Sequence, residues 1–317
     1  MKKKNFFPFL RIGVTLAILF ALFKLVPYGK LIEVYKDSHK IYLFWAFLAF
    51  FLCYLIGAAR WKFLLVSLGI KAGKREVFYS FFSSLFFNLF FPSFVAGDLF
   101  RGYSISRRHG ELKKVASSIL MDRFSGALAL TLIAFFSFIF KGDIIEVGGA
   151  GSALFILCFL ALFGSLAIFS KTFFSLLMKV FKKKSSLKEK ISSFHNQLYF
   201  FKKNPKVFFK SFLFSFPIQI FSSIGFFISS KAFGLQIDII YFLILVPIVM
   251  AIALIPITIA GVGTREASAV YFFSLIGVEK SVGLGMSLLN LVFLIVMGIL
   301  GGIFYVSVYH RWFQPRS

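Results

Sequence analysis

Acidic residues are scarce in this chain. Only 12 Asp and Glu stand against 36 Lys and Arg, which leaves a formal charge of +24. Charge of either sign is scarce too, at 15% of 317 residues, where a soluble domain carries about a quarter. With 59% hydrophobic residues and a mean hydropathy of +0.88, too little polar surface remains to wrap a water-soluble core. The two cysteines, Cys53 and Cys158, lie inside apolar runs and read as small buried hydrophobes. The four histidines sit in or beside loops without ligand spacing, so neither metal nor cofactor is expected. HExxH, CxxC, a Walker loop and GxSxG are all absent, and with them the usual carriers of metallohydrolase, redox, nucleotide and serine-hydrolase chemistry. Aromatic and basic residues do not interleave as on an RNA-binding sheet, so the positive charge does not point to nucleic acid.

What is present is a series of apolar runs near 20 residues, the length that crosses a hydrocarbon core of about 30 Å as a helix. Lipid offers the backbone no hydrogen bonds, so spanning segments are helices or closed barrels. Continuous runs such as 41–59 and 283–308 favour helices. The expected partner surface is membrane lipid with anionic or phosphate-bearing headgroups, with homo-oligomerisation left open. The 49 phenylalanines are read as lipid-facing and packing material.

Lys and Arg concentrate in loops on the cytoplasmic side, which orients the runs. Residues 6–26 read as a retained first span with its N-terminus in the cytoplasm, and the basic tail at Arg311 and Arg316 places the C-terminus there too. Both flanks of 77–100 are basic, at Arg60–Glu76 and Arg101–Val115. A segment that enters and leaves on one side is re-entrant, and Asn88, Pro92, Gly97 and Asp98 inside it would break a simple span. Segment 241–276 must likewise start and end outside, with Pro247, Pro256, Gly261 and Gly263 within. The prediction is an all-α integral membrane protein of a prokaryotic cytoplasmic membrane, with six full spans and two re-entrant broken helices. The two halves read as an inverted repeat, a pattern that places a site near the midplane of transporters. One transmembrane domain fills 1–317: helix and loop (1–40), first repeat (41–140), connecting span and basic linker (141–206), second repeat (207–317).

Ionisable residues at membrane depth are costly and face partners or a wet cavity. Three clusters qualify: Asn88, Asp98 and Arg101; Asp122 and Arg123 with Gly126; and Arg265 and Glu266 after Gly261 and Gly263. Arginine's planar fork suits phosphate oxygens, and neighbouring carboxylates would hold each arginine in place. The same groups could instead be three ion pairs that only lock helices together. Asp122 and Arg123 point about 100° apart on a helix, so each is expected to reach a different segment. The helix beginning near Arg265 is expected to turn its N-terminal end to the cavity.

Taken in order, Asn88-x3-Pro92 with Ala96-Gly97-Asp98-x2-Arg101, then Asp122-Arg123-x2-Gly126, then Pro256 with Gly261-Val-Gly263-Thr-Arg265-Glu266, resemble the lysylphosphatidylglycerol synthase transmembrane family. These flippase-like proteins include the membrane domain of the bifunctional multiple peptide resistance factor. Ala96 stands where glycine is common before Gly-Asp. The resemblance implies translocation of a phospholipid or polyprenyl-linked lipid through a polar cavity lined by those residues. With no ATP-binding motif, transport would be passive, ion-coupled or driven by a partner. The soluble aminoacyl-transferring domain of the bifunctional relatives would follow the membrane part, and the sequence stops at Ser317, so no synthase activity is expected. Two other readings stay open: an intramembrane lipid-modifying transferase using Asp122 and Glu266, and a scaffold that binds a soluble partner through the eleven lysines of 171–210.

Overall fold

The structure, a computed structural model, describes residues 6–26, 28–90, 96–140, 149–178, 186–255 and 257–312. Every regular element among them is a helix, and the molecule is an all-α integral membrane protein. Among the described residues five helices are long and apolar enough to cross a membrane: α3 (Lys40–Ser67), α6 (Leu112–Phe140), α7 (Ala150–Phe169), α10 (Pro205–Ala232) and α13 (Lys280–Trp312). A sixth span exists only if α1 (Phe6–Leu25) and α2 (Tyr28–Lys36), which bend by 79° at their junction, count as one. The segment after the first run, expected as a loop, is therefore helical. It is amphipathic: Leu31 is buried, and the Tyr35 hydroxyl donates to the Gly285 carbonyl of α13 at 2.7 Å.

The two broken segments form hairpins of short helices. In the first half, α4 (Lys74–Phe90) and α5 (Ala96–His109) flank residues 91–95, which lie outside the described residues, as does Pro92. At 1.5 Å per residue, neither helix reaches the roughly 30 Å of a hydrocarbon core. The two ends of the hairpin meet. Glu76 at its start accepts from His109 Nε2 at 3.0 Å and pairs with Arg108 at 3.7 Å, both at its end. The second hairpin joins α11 (Ile239–Ala253) and α12 (Thr264–Ser274) through a 3-10 turn at Ile259–Gly261, with Pro256 outside the described residues. Its ends also meet: the rings of Phe242, in the first turn of α11, and Phe273, at the end of α12, lie 5.6 Å apart.

Packing between the halves is extensive. α3 runs along α10, α4 lies along α13, and α6 lies against α11. Phenylalanine serves both roles expected of it: Phe82, Phe226 and Phe273 are fully buried, while Phe140 and Phe155 are exposed. The α4–α13 approach depends on absent side chains. A Cβ built at Gly301 would fall on the Phe82 carbonyl of α4. Two surface helices, α8 (Lys171–Leu177) and α9 (Ser186–Lys203), lie between α7 and α10, where the lysine-rich linker was expected.

Gly301→Ala is expected to destabilise the bundle by about 1–3 kcal/mol, because overpacking forces the backbones apart. Reversible unfolding in mixed micelles measures this, and an unchanged midpoint would contradict the close α4–α13 contact.

Candidate functional site

The site begins where α5 begins. Asn88 on α4 accepts a hydrogen bond from the Gly97 amide at 2.8 Å, which fastens the start of α5 to α4 across the break. Only glycine fits there, since a Cβ at Gly97 would overlap the Ser84 carbonyl and the Asn88 side chain. Asp98 lies in the first turn of α5, where the positive end of the helix favours a carboxylate. One turn later Arg101 donates back to Asp98 Oδ1 through Nε at 3.0 Å. Its guanidinium stacks over Trp61 of α3, 4.8 Å from the ring centroid, and lies 5.6 Å from the Phe81 centroid.

From Arg101 the contacts continue into the spans. Nη2 reaches Asp122 Oδ2 on α6 at 3.0 Å. Asp122 Oδ1 accepts from Arg60 Nε of α3 at 2.7 Å, and Arg60 Nη1 donates to Ser215 of α10 at 2.7 Å. In the other direction, Arg123 Nε donates to Asp98 Oδ2 at 3.0 Å. Asp122 and Arg123 thus reach different partners, as their 100° separation requires. Gly126, one turn beyond Asp122, leaves room for Arg60, whose Nη1 would lie 3.3 Å from a Cβ there. Gln219 of α10 donates to the Gly126 carbonyl at 3.3 Å. Ser215, Arg60, Asp122, Arg101, Asp98 and Arg123 therefore form one chain of contacts tying together α3, α5, α6 and α10. Asp122 lies about 15 Å along α6 from Leu112, inside a helix long and apolar enough to cross a membrane.

Among the described residues of this network three guanidinium groups share two carboxylates. In addition Arg101 Nη1 is buried with no hydrogen-bond partner among the described residues. A buried donor left unmade costs about 1–3 kcal/mol, more on a charged group. The network is accessible at one end: the Arg123 side chain is 41% exposed, while those of Arg60, Asp98, Arg101 and Asp122 are at most 11% exposed.

The third cluster stands apart and is complete. Gly261 and Gly263 have φ of +75° and +92°, and the chain turns there into α12. Glu266 Oε2 accepts from the Gly263 amide at 2.6 Å, so the helix caps its own N-terminus. One amide of the N-terminus that was expected to face a cavity is therefore already taken by a carboxylate of the same helix. Glu266 Oε1 takes Arg265 Nη2 at 2.6 Å and Nε at 3.0 Å, and Arg265 Nη1 donates to Asn290 of α13 at 3.0 Å. Charge is balanced, Glu266 is fully buried and Arg265 nearly so. The first two clusters merge into one network, and the third closes on itself.

Arg60, Trp61, Ser215, Gln219 and Asn290 are members that sequence reasoning missed. Arg60 ends the apolar run 41–59 and reads as the start of a basic loop, yet α3 continues to Ser67. The signal was the run Phe63-Leu-Leu-Val66, which resumes the apolar pattern just beyond it.

An all-helical membrane bundle with an arginine–carboxylate network between spans and a broken hairpin defines the class of this protein. Its sequence matches the family described as Lysylphosphatidylglycerol synthase TM region over residues 9–302, and the chain belongs to that family. It is also similar to the UPF0104 membrane protein MJ1595 of Methanocaldococcus jannaschii, at 25% identity over 309 residues and 91% of each chain.

The charge count ranks two substitutions. Asp122→Asn leaves three arginines facing one carboxylate, whereas Arg60→Gln leaves two facing two. Removing one partner of a buried pair costs about 3–5 kcal/mol. Asp122→Asn is expected to cost about that and Arg60→Gln less, measured by unfolding in mixed micelles; the reverse order would contradict the network's net charge.

Proposed function

We propose that this protein moves a lipid with an anionic, phosphate-bearing headgroup across the membrane, and that the headgroup docks on the Arg101–Arg123 end of the network. The observation that carries this reading is the spare donor there, the buried Arg101 Nη1, which has no partner among the described residues. A phosphate oxygen supplies both a negative charge and an acceptor, and guanidinium groups bind phosphate in a forked geometry. The carboxylates Asp98 and Asp122 already engage part of each arginine, which limits how tightly an anion is held and lets it leave again. The exposed Arg123 side chain, at membrane depth, is the point of entry. Membership of a family named for lysylphosphatidylglycerol synthesis supports a lipid rather than a free anion as the cargo. On this reading the membrane domain transports and does not itself transfer groups.

The translocation pathway follows from the two hairpins, read as re-entrant elements of an inverted repeat in a cytoplasmic membrane with both termini inside. Exchanging α3–α6 with α10–α13 maps the α4–α13 packing onto α11–α6 and leaves α3–α10 on itself. The meeting ends of each hairpin support the same reading. The first hairpin carries the open network and the second the closed one, so the first is the binding element and the second the fixed counterpart.

In proteoliposomes, leaflet exchange of a fluorescent phosphatidylglycerol read by dithionite quenching tests this. Arg101→Lys keeps the charge and loses the fork, and Arg123→Ala removes the entry cation. Each is expected to slow movement about 10- to 100-fold, the equivalent of one charge-assisted hydrogen bond. Wild-type rates in both variants, normally inserted, would sink the proposal.

A further inference from the structure

Outside the central network, α8 and α9 carry a second group of cations. Ser170 caps α8 by accepting from the Phe173 amide at 3.2 Å, so the chain turns off the end of α7 there. α9 is held firmly. Leu198 and Phe201 are buried in a cluster with Leu64 and Leu68 of α3, Met121 of α6 and Ile168 of α7. His195 stacks face to face on Phe174 at 3.6 Å, and burial lowers its pKa below the usual imidazole value. What stands on this pinned helix is a platform rather than a loose tail.

On that platform the ammonium groups of Lys171 and Lys202 both lie over the ring of Tyr199, at 4.6 and 5.3 Å from its centroid. Neither has a carboxylate partner among the described residues, and both lysines are exposed. Residues 171–210 hold eleven lysines and one acidic residue, Glu189, whose position on α9 is about 20 Å from that of Lys202 along the helix. Two like charges on one ring repel each other, and an anion between them removes the repulsion.

The adjoining surface indicates what kind of anion. Phe155, Phe159, Leu162, Phe163 and Leu166 form an exposed apolar stripe along α7, at helical spacing. Its lower end reaches α8, where Phe163 meets Phe173 edge to face at 5.2 Å. A paired cation on an aromatic ring, at the foot of an apolar wall, is complementary to a phosphodiester headgroup with acyl chains above it. We propose that Lys171, Tyr199 and Lys202 bind an anionic diacyl phospholipid whose chains lie along α7. This site is independent of the proposed translocation network.

Amide hydrogen exchange over 171–203, in nanodiscs of phosphatidylcholine alone or mixed with phosphatidylglycerol, reads this site. In the wild type, phosphatidylglycerol should slow exchange about tenfold or more, as two lysines at an anionic surface predict. Lys171→Gln/Lys202→Gln should lose that protection while keeping its melting midpoint, and Tyr199→Phe, which keeps the ring, should retain it. Arg101→Gln/Arg123→Gln should also retain it, which separates this site from the central one: lost translocation with retained protection fails neither site. Equal exchange in both lipids, full protection in the double lysine variant, or equal protection from inorganic phosphate in phosphatidylcholine discs would overturn the assignment.

Discussion

Three guanidinium groups, those of Arg60 and Arg101 buried and that of Arg123 partly exposed, share two buried carboxylates, and much of the bundle is arranged around that sharing. Charge in an apolar medium persists only when paired and hydrogen-bonded. Arg60 therefore draws α3 to α6 and α10, and Arg101 draws α5 to α6 while stacking on a ring of α3. Small residues make these approaches feasible: Gly97 under Asn88, and Gly126 beside Arg60. Within this network Arg101 Nη1 is the buried donor left without a partner among the described residues, and the proposed headgroup would supply its acceptor.

The two hairpins show how similar sequences of elements can serve different ends. Each places an arginine and a carboxylate near the start of its second helix, Asp98 with Arg101 and Arg265 with Glu266. In α12 the carboxylate caps its own helix and takes two bonds from the arginine beside it, and an amide oxygen of α13 completes the set. In α5 the carboxylate is three residues before its arginine and is shared with Arg123 of another helix. The first arrangement is saturated. The second is stretched over several helices and partly exposed at its Arg123 end.

Composition alone made the membrane class legible, because lack of charge and long apolar runs have one physical consequence. The two broken segments were legible from their glycines and prolines, and each is a pair of short helices whose ends meet. Arg60 was not legible. A lone arginine after an apolar run looks like a loop boundary, and only a carboxylate on another helix, 62 positions away, reveals it as an interior residue. Merging of two clusters and closure of the third were hidden for the same reason: both depend on which side chains meet across helices. The helix at α2 was missed because its apolar face is short and its charged face reads as loop.

Trp61 rests on Arg101 and so reports directly on the unfilled donor. Of the chain's three tryptophans, Trp45 and Trp312 can be changed to phenylalanine, leaving Trp61 as the sole emitter. Titration of this protein in detergent with short-chain phosphatidylglycerol should give a saturable change in Trp61 emission. Short-chain phosphatidylcholine should give less, and Arg101→Gln should abolish the response. If emission were indifferent to the anionic lipid, or responded equally in Arg101→Gln, the network would be an internal brace and not a headgroup site.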